Sequence, residues 1–293
     1  MASLPSQKVK SIFEYIVYGS WWVALCAAAI GMLSWYEFTG NWWNAPLFIF
    51  TVGSTLVIYN LNMISGLKEL RKMGTDSERH HWCIDNEKLM KGTLVIGLLM
   101  AAGSVNYLNG AIWYFMVPLT LVAVAYAAPI VRRKTEFIRI REIGLWKIFM
   151  IGAVWAGMTV VLPAVDHYGL QQLTEPKSWW LGVERFIFII AITLPFDVRD
   201  LVNDAKKGVR TIPSTIGWFR SVVLAEVLLM LFLFLVWWRL GTDQPLFWGY
   251  LLSTLVTMFG VSYAHPKRND MYCSFWIEGT MMLVFLTVFF VCR

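Results

Sequence analysis

Nine long, predominantly apolar stretches run through this sequence and decide what it can fold into. A helix needs about 20 apolar residues to cross the hydrocarbon core of a bilayer. The stretches are continuous rather than alternating, and lipid requires backbone polar groups to be satisfied internally, which favours helices. The sequence therefore predicts an all-α, polytopic membrane protein with about nine transmembrane helices. The predicted segments are roughly 12–36, 44–66, 89–108, 110–131, 143–165, 178–197, 218–239, 245–264 and 271–292.

The composition agrees with a membrane protein and excludes several other classes. Of the 293 residues, 58% are hydrophobic and 15% are charged, and the mean hydropathy is +0.57. A soluble protein of this composition would expose large apolar patches. An intrinsically disordered chain, a nucleic-acid-binding module and a secreted disulfide scaffold are excluded on the same grounds. The four cysteines are scattered without a CxxC pair, so they predict neither a metal site nor a redox site.

Basic residues concentrate in alternate connections between the apolar stretches. The N-terminal tail and the loops after the second, fourth, sixth and eighth stretches hold 21 of the 25 Lys and Arg residues. Because positively charged loops stay on the cytoplasmic side, we expect the N-terminus and these loops to face the cytoplasm. No connection is long enough to fold alone, so we expect residues 1–293 to form a single transmembrane domain.

An acidic cluster at the end of the sixth stretch is the strongest local signal. Asp197, Asp200 and Asp204 fall at i, i+3 and i+7, within about 60° of one helix face. Stacked carboxylates repel one another, and a row of carboxylate oxygens suits Mg²⁺. Basic residues follow at once, as expected where a phosphate meets the metal. They are Lys206, Lys207 and Arg210. A solvated charged loop at a membrane exit is the alternative interpretation.

Around this cluster the chain resembles the UbiA-type intramembrane prenyltransferase superfamily. The segment DVRDLVNDAKKGVRTIPSTIG, residues 197–217, is similar to that family's second aspartate motif. The resemblance implies a UbiA-like bundle of nine helices. It also implies an isoprenoid diphosphate held through Mg²⁺ by Asp197, Asp200 and Asp204, and an active-site cap formed by loops 67–91 and 197–217.

A second stretch also resembles the family. Tyr126 begins the sequence YAAP, which is followed by the basic residues Arg132, Arg133 and Lys134. This stretch resembles the family's segment at the end of the fourth helix. The resemblance implies that Tyr126 and Arg132 contact the diphosphate.

The first aspartate motif of the family is degenerate in this chain. Asn60 matches the family's asparagine, but Leu61, Ile64 and Lys68 stand where carboxylates would be expected. The local charge therefore changes sign, and a second Mg²⁺ has few ligands left. Our hypothesis is that basic side chains replace that metal as direct diphosphate ligands, with neutral amides beside them. A positive-inside anchor without a ligand is the alternative. The residues are Lys68, Arg71 and Lys72, with Asn60 and Asn62 as the amides.

The same loop predicts a short helix over the active site. Asp76 or Ser77 can cap such a helix. Glu78, His80 and His81 are candidate acid–base groups, because histidine titrates near neutral pH. A solvated loop is the alternative interpretation of the paired histidines.

Two carboxylates lie deep inside predicted membrane helices. Glu226 and Glu278 stand in apolar surroundings, where a charge is costly and is usually functional or paired. Each is a candidate for facing a substrate cavity.

Together these features predict a Mg²⁺-dependent intramembrane enzyme. It would ionise an isoprenoid diphosphate and transfer the prenyl group to an aromatic or other lipophilic acceptor. A UbiA-type terpene cyclase that acts on the prenyl diphosphate alone is the first alternative. A non-catalytic isoprenoid-lipid binder is the second. We expect membrane lipids as surroundings, and neither nucleic acid nor an obligate protein partner.

Overall fold

The computed structural model describes residues 12–74, 77–127, 131–133, 136–138, 146–206 and 209–293. Residues 12–18 are helical and precede thirteen further α-helices within this part of the chain. In chain order these are α1 (Trp21–Thr39), α2 (Ala45–Met73), α3 (Glu78–Asp85), α4 (Glu87–Val105), α5 (Ile112–Ala127), α6 (Trp146–Ala156), α7 (Leu162–Tyr168), α8 (Pro176–Arg199), α9 (Leu201–Lys206), α10 (Ile212–Ile216), α11 (Trp218–Leu240), α12 (Pro245–Ser262) and α13 (Glu278–Val291).

Irregular helical turns and one small hairpin complete the described elements. A π-helical turn over Gly157–Val161 joins α6 to α7, and another over Tyr272–Ile277 leads into α13. A 3₁₀ turn spans Leu170–Thr174. Strands β1 (Val131–Arg133) and β2 (Glu136–Ile138) pair antiparallel. The prediction of an all-α fold is confirmed, and this ribbon of three residues per strand is a small addition to it.

The helices coincide with the nine predicted membrane segments. Seven helical stretches within the described residues are long and apolar enough to cross a membrane. Helices α5 and α8 occupy the two remaining predicted segments, with α5 shorter and α8 interrupted by several charged residues. The predicted count of nine is therefore consistent with the structure.

Sequence-encoded caps and contacts explain where several helices begin and how closely they pack. Asn44 caps α2 by accepting from the Leu47 amide at 3.0 Å. Ser77 caps α3 by accepting from the His80 amide at 3.2 Å, which confirms one of the two predicted caps. Helices α2 and α4 touch backbone to backbone, since a Cβ added at Gly97 would lie 2.8 Å from the Gly53 carbonyl oxygen.

Helix α8 lies in the largest apolar core of the bundle. Its Phe188 packs on Phe232 of α11, with ring centroids 5.1 Å apart. Leu194, one and a half turns further along α8, is fully buried in the same core. The core also takes in Met281 and Val288 of α13. This packing fixes the C-terminal end of α8, where the acidic cluster lies, against the beginning of α13. That end of the bundle is called the motif end below.

A buried ion cluster lies at the opposite end of α8. It comprises Glu37 of α1, Glu184 of α8, Arg239 of α11 and Tyr250 of α12. Arg239 donates to both oxygens of Glu184 at 2.7 and 2.8 Å and to Glu37 at 2.6 Å. Tyr250 donates its hydroxyl proton to the other oxygen of Glu37. Four helices are thus joined by charged groups that are almost completely removed from solvent.

Candidate active site

A cavity of about 410 Å³ opens at the motif end of the bundle. Its walls come from α2, α3, α6, α8, α9 and the start of α13. Its charged side chains are Arg79, Lys147, Asp197, Arg199, Asp200, Asp204, Asp270 and Glu278. Apolar walls include Ile58, Met150, Trp155, Ile192, Phe196 and Met281. The cavity therefore combines a strongly charged region with an apolar one.

All three predicted aspartates contribute to the wall of this cavity. Asp197 lies in the last turn of α8, Asp200 terminates that helix, and Asp204 lies in α9. A turn at Asp200 separates the two helices, so the single continuous helix face expected from the spacing is broken there. The chain still keeps the carboxylates together, because the Asp204 amide donates to the Asp200 carbonyl at 2.8 Å.

Asp197 and Asp200 each hold a basic side chain. Lys147 of α6 reaches across to Asp197, with Nζ 2.8 Å from Oδ1. Arg199 forms a bidentate pair with its neighbour Asp200, at 2.8 and 3.0 Å. Burial alone would raise the pKa of Asp200, but the Arg199 guanidinium overcomes this effect and lowers that pKa below its usual value. Asp200 is therefore an anion at neutral pH.

Asp270, in the connection between α12 and α13, ties three segments together at the motif end. Its Oδ2 accepts from the Ser77 hydroxyl at 2.7 Å and from the Arg79 amide at 3.0 Å. Its Oδ1 lies 3.2 Å from Nη1 of Arg199. One carboxylate therefore fastens the first turn of α3 to the end of α8. This contact holds α3 over the cavity.

Loss of the Asp270 carboxylate should release the first turn of α3. We expect Asp270→Ala to speed tryptic cleavage after Arg79 by roughly tenfold, because the acceptor of the Arg79 amide and a partly buried ion pair are lost. Limited proteolysis in detergent followed by mass spectrometry measures the cleavage rates. Asp243→Ala is the matched control, since Asp243 is exposed in the connection between α11 and α12. Equal cleavage of the two variants would contradict a fastening role for Asp270.

The structure brings only part of the predicted diphosphate-binding set to the cavity. Asn62 lines the cavity, whereas Asn60 is buried and donates to the Leu56 carbonyl at 2.9 Å. The basic side chains predicted to replace the second metal are exposed and do not line the cavity. They are Lys68, Arg71 and Lys72, and Arg71 pairs with Glu87 at 2.6 Å. Their role as diphosphate ligands stays a prediction.

The other predicted diphosphate ligands either lie away from the cavity or have side chains outside the described part of the chain. Arg210 is exposed and does not line the cavity. The backbones of Tyr126, Arg132 and Lys206 belong to α5, β1 and α9, but their side chains lie outside the described part of the chain. Lys207 lies outside the described residues altogether. Their predicted contacts with a diphosphate also stay predictions.

Only one of the candidate acid–base residues of the predicted short helix lines the cavity. His80 lines the cavity, whereas Glu78 and His81 are exposed. Of the two membrane carboxylates, Glu278 lines the cavity and Glu226 does not. Loops 67–91 and 197–217 both contribute cavity walls, and their joint action as a cap stays a prediction.

Sequence reasoning missed four charged residues of this site. Lys147 reads as a charge at a helix end, and Asp270 is a lone carboxylate in a short basic loop. Arg79 and Arg199 are hidden among the many basic residues that the topology already explains. A carboxylate within a basic loop is the one signal that could have singled out Asp270.

The three carboxylates do not form a metal site as they stand. No group of three or more His, Cys, Asp or Glu side chains in the described ranges lies close enough together to hold a metal ion. Asp197 and Asp200 instead hold Lys147 and Arg199 at 2.8 Å. The donor chemistry suits Mg²⁺, but these two carboxylates would have to release their basic partners before they could bind one.

Comparison with known proteins identifies the fold. No family profile and no curated protein matches the sequence. A UbiA homologue from Archaeoglobus fulgidus, bound to GPP and Mg²⁺, matches with a TM-score of 0.67 at 11% identity, over 95% of this chain and 99% of that chain. A UbiA homologue from Archaeoglobus fulgidus bound to DMAPP and Mg²⁺ matches with a TM-score of 0.63 at 12% identity, over 95% of this chain and 98% of that chain.

A third solved structure extends the comparison. It concerns digeranylgeranylglyceryl phosphate synthase in membranes, and it matches with a TM-score of 0.56 at 15% identity, over 95% of this chain and 97% of that chain. The chain therefore has a UbiA-type fold over nearly its whole length and is an integral membrane protein. The fold that the second aspartate motif implied is confirmed.

Proposed function

We propose that this chain is an intramembrane enzyme that ionises an isoprenoid diphosphate and transfers the prenyl group to an aromatic or other lipophilic acceptor. The observation that carries the proposal is the cavity itself. Its charged region and its apolar walls match the head and the tail of a prenyl diphosphate. UbiA homologues of the same fold that bind GPP or DMAPP with Mg²⁺ support this choice of substrate.

The cationic side chains of the cavity are suited to a diphosphate. Lys147 and Arg199 already hold carboxylates at 2.8 Å, so both present their charge inside the cavity wall. The Nε of Arg79 is buried and has no hydrogen-bond partner within the described residues. A diphosphate oxygen would satisfy that donor. Charge on these groups stabilises the leaving diphosphate as the C–O bond breaks.

The apolar walls of the cavity protect the cation that remains. Water would quench an allylic cation, and the walls exclude water. The acceptor then attacks the cation from the apolar region. We place the N-terminus and the motif end on the cytoplasmic side, because the basic loops lie there.

The carboxylate oxygens in the cavity wall support a role for Mg²⁺. Asp197, Asp200 and Asp204 line one cavity and present oxygen ligands, which Mg²⁺ prefers. When bound, the ion would neutralise charge on the diphosphate. Its binding would require Lys147 and Arg199 to turn from the carboxylates to another anion, and the diphosphate is such an anion.

Terpene cyclisation is the second candidate activity. Trp155 and Phe196 contribute aromatic rings to the cavity wall, and the faces of such rings stabilise carbocations. A cyclase would capture the cation with double bonds of the same prenyl chain. It would therefore need no acceptor.

One experiment tests the proposal and separates the candidates. Purified full-length protein is incubated with C10 to C20 prenyl diphosphates, with Mg²⁺ or with EDTA, and with or without phenolic acceptors. Pyrophosphate release with prenylated acceptor supports prenyl transfer, whereas cyclic hydrocarbons without acceptor identify a cyclase. Binding of the diphosphates without turnover under every condition would identify a non-catalytic binder. Failure to bind any prenyl diphosphate would overturn the proposal.

Two basic residues of neighbouring helices, Arg79 of α3 and Lys68 of α2, should differ sharply in diphosphate binding. We expect Arg79→Ala to weaken binding of inorganic pyrophosphate by about tenfold or more, because a buried charged donor is lost. Lys68→Ala should change the Kd less than about twofold, because Lys68 is exposed outside the cavity. Isothermal titration calorimetry measures both. A larger effect of Lys68→Ala would instead support the sequence-based hypothesis that Lys68 replaces a metal.

A further inference from the structure

Glu278 is a buried carboxylate on the cavity wall that takes no part in the proposed diphosphate site. Its exposed fraction is 7%, and it lines the cavity. Its carboxylate makes no hydrogen bond and no ion pair with the described residues, and only Arg79 and Arg199 act on it as cations from a distance. A carboxylate in a membrane helix is costly unless it has a partner or a function.

The backbone around Glu278 is irregular at this position. The π-helical turn Tyr272–Ile277 ends immediately before it, and such turns are frequent at functional sites. Side-chain contacts hold the turn in place. Trp22 Nε1 donates to the Phe275 carbonyl at 2.9 Å, and Cys273 Sγ lies 3.7 Å from the Pro195 carbonyl. Glu278 is therefore presented to the cavity by a fixed element rather than by a loop.

Glu278 lies deeper in the cavity than the acidic cluster. Asp270 and Arg199 are 3.2 Å apart, so α8 ends and α13 begins at the same end of the bundle. Glu278 follows Cys273 by five residues, which is more than one helical turn, so it lies deeper in the bundle than Cys273. Met281, in the next turn, lines the apolar wall. The carboxylate thus lies beyond the charged region, where the reacting end of the prenyl chain would lie. It does not bind the diphosphate itself, because the two anions repel each other.

We propose that Glu278 accepts the proton that is released when the prenyl cation is captured, and that the acceptor carries an O–H group that donates to this carboxylate. The inference rests on the proposed function. The bond from C1 to the diphosphate oxygen breaks, and its electron pair leaves with the diphosphate. The acceptor supplies the electron pair of a new bond to C1. This bond forms either from the acceptor oxygen or from the ring carbon that this oxygen activates. The acceptor proton passes to Glu278.

The test compares two membrane carboxylates. Glu278→Gln removes the proton acceptor, and Glu278→Asp keeps a carboxylate in its place. Glu226→Gln is the matched control, because Glu226 lies in α11 outside the cavity and its Oε1 also has no hydrogen-bond partner within the described residues. Each variant is incubated with geranyl diphosphate, alone and with 1-naphthol. Geranylated naphthol, terpene hydrocarbons, terpene alcohols, pyrophosphate release and the Kd for geranyl diphosphate are measured.

We expect Glu278→Gln to lower the products of proton loss, which are geranylated naphthol and hydrocarbons, by roughly 100-fold or more. Its Kd for geranyl diphosphate should stay within about threefold of wild type, because Glu278 does not hold the diphosphate. Glu278→Asp should recover part of the rate, and Glu226→Gln should match wild type. Unchanged proton-loss products in Glu278→Gln would overturn the inference, as would a loss of geranyl diphosphate binding. A wild-type protein that binds no geranyl diphosphate would overturn the proposed function itself.

A second measurement needs no variant and no turnover. A hydrophobic carbodiimide should modify Glu278 in the wild-type protein, and geranyl diphosphate should protect it, since both occupy the same cavity. Mass spectrometry locates the adducts, with any adduct at Glu226 as the unprotected reference. Modification of Glu278 that geranyl diphosphate does not reduce would contradict its place beside the substrate.

Discussion

Replacement of Asp200 by Asn is expected to lower pyrophosphate release from geranyl diphosphate by roughly 1,000-fold. The carboxylate contributes to the cavity wall and holds Arg199 in a bidentate pair at 2.8 and 3.0 Å. Asn keeps the shape but removes the negative charge, so the variant loses both the proposed Mg²⁺ ligand and the partner that orients the guanidinium. Initial rates at saturating Mg²⁺ and geranyl diphosphate measure the effect.

The control for this variant is Asp243→Asn. Asp243 is exposed in the connection between α11 and α12, far along the chain from the acidic cluster, and we expect that variant to keep the wild-type rate. Thermal unfolding of both variants shows whether the fold survives. If the well-folded Asp200→Asn protein kept more than about one tenth of the wild-type rate, the assignment of Asp200 to the reacting end of the site would be wrong.

Replacement of Arg239 by Met should cause a large loss of stability. Arg239 neutralises Glu37 and Glu184, whose side chains are 2% and 3% exposed. Removal of the guanidinium leaves two buried carboxylates without the counter-ion that forms hydrogen bonds to both of them, which costs about 3–5 kcal/mol. We expect the apparent Tm in detergent to fall by roughly 10 °C. Differential scanning fluorimetry measures the shift.

The same helix offers a matched control for Arg239. Arg220, near the other end of α11, is exposed, so Arg220→Met should shift the apparent Tm by less than about 2 °C. Addition of Glu37→Gln and Glu184→Gln to Arg239→Met should restore part of the lost stability, because neutral amides need no counter-ion. A triple variant no more stable than Arg239→Met alone would show that packing, rather than charge, explains the loss.

The fold was largely predictable because lipid imposes a simple rule on sequence. Long apolar stretches have to become helices, and each predicted segment coincides with a helix. Local capping was predictable as well, as Ser77 shows at the start of α3. The break at Asp200 was not predictable, because the spacing of the aspartates fits a continuous helix equally well. Tertiary contacts around Arg199 and Asp270 accompany the break.

The site was predictable only where its residues are close in sequence. Asp197, Asp200 and Asp204 carry their own pattern, and all three line the cavity. Lys147 and Asp197 are 50 residues apart, so no local spacing could pair them.

The basic residues after Asn60 failed to appear on the cavity for a related reason. The rotation of α2 about its axis decides which of its side chains face inward, and packing against α4 sets that rotation. Lys68 and Lys72 consequently face away from the described cavity wall, whereas Asn62 belongs to it.

Arg199 contacts Asp200 and Asp270 at once, and this shared guanidinium couples the charge state of the cavity to the attachment of α3. An anion that draws Arg199 inward must weaken its hold on Asp270, whose other oxygen fastens Ser77. By thermodynamic reciprocity, a change in α3 that alters this hold must change the affinity for the anion by the same factor. Binding of an anion in the cavity and detachment of α3 therefore favour each other, and hydrogen exchange in the first turn of α3 would report how much anion the cavity holds.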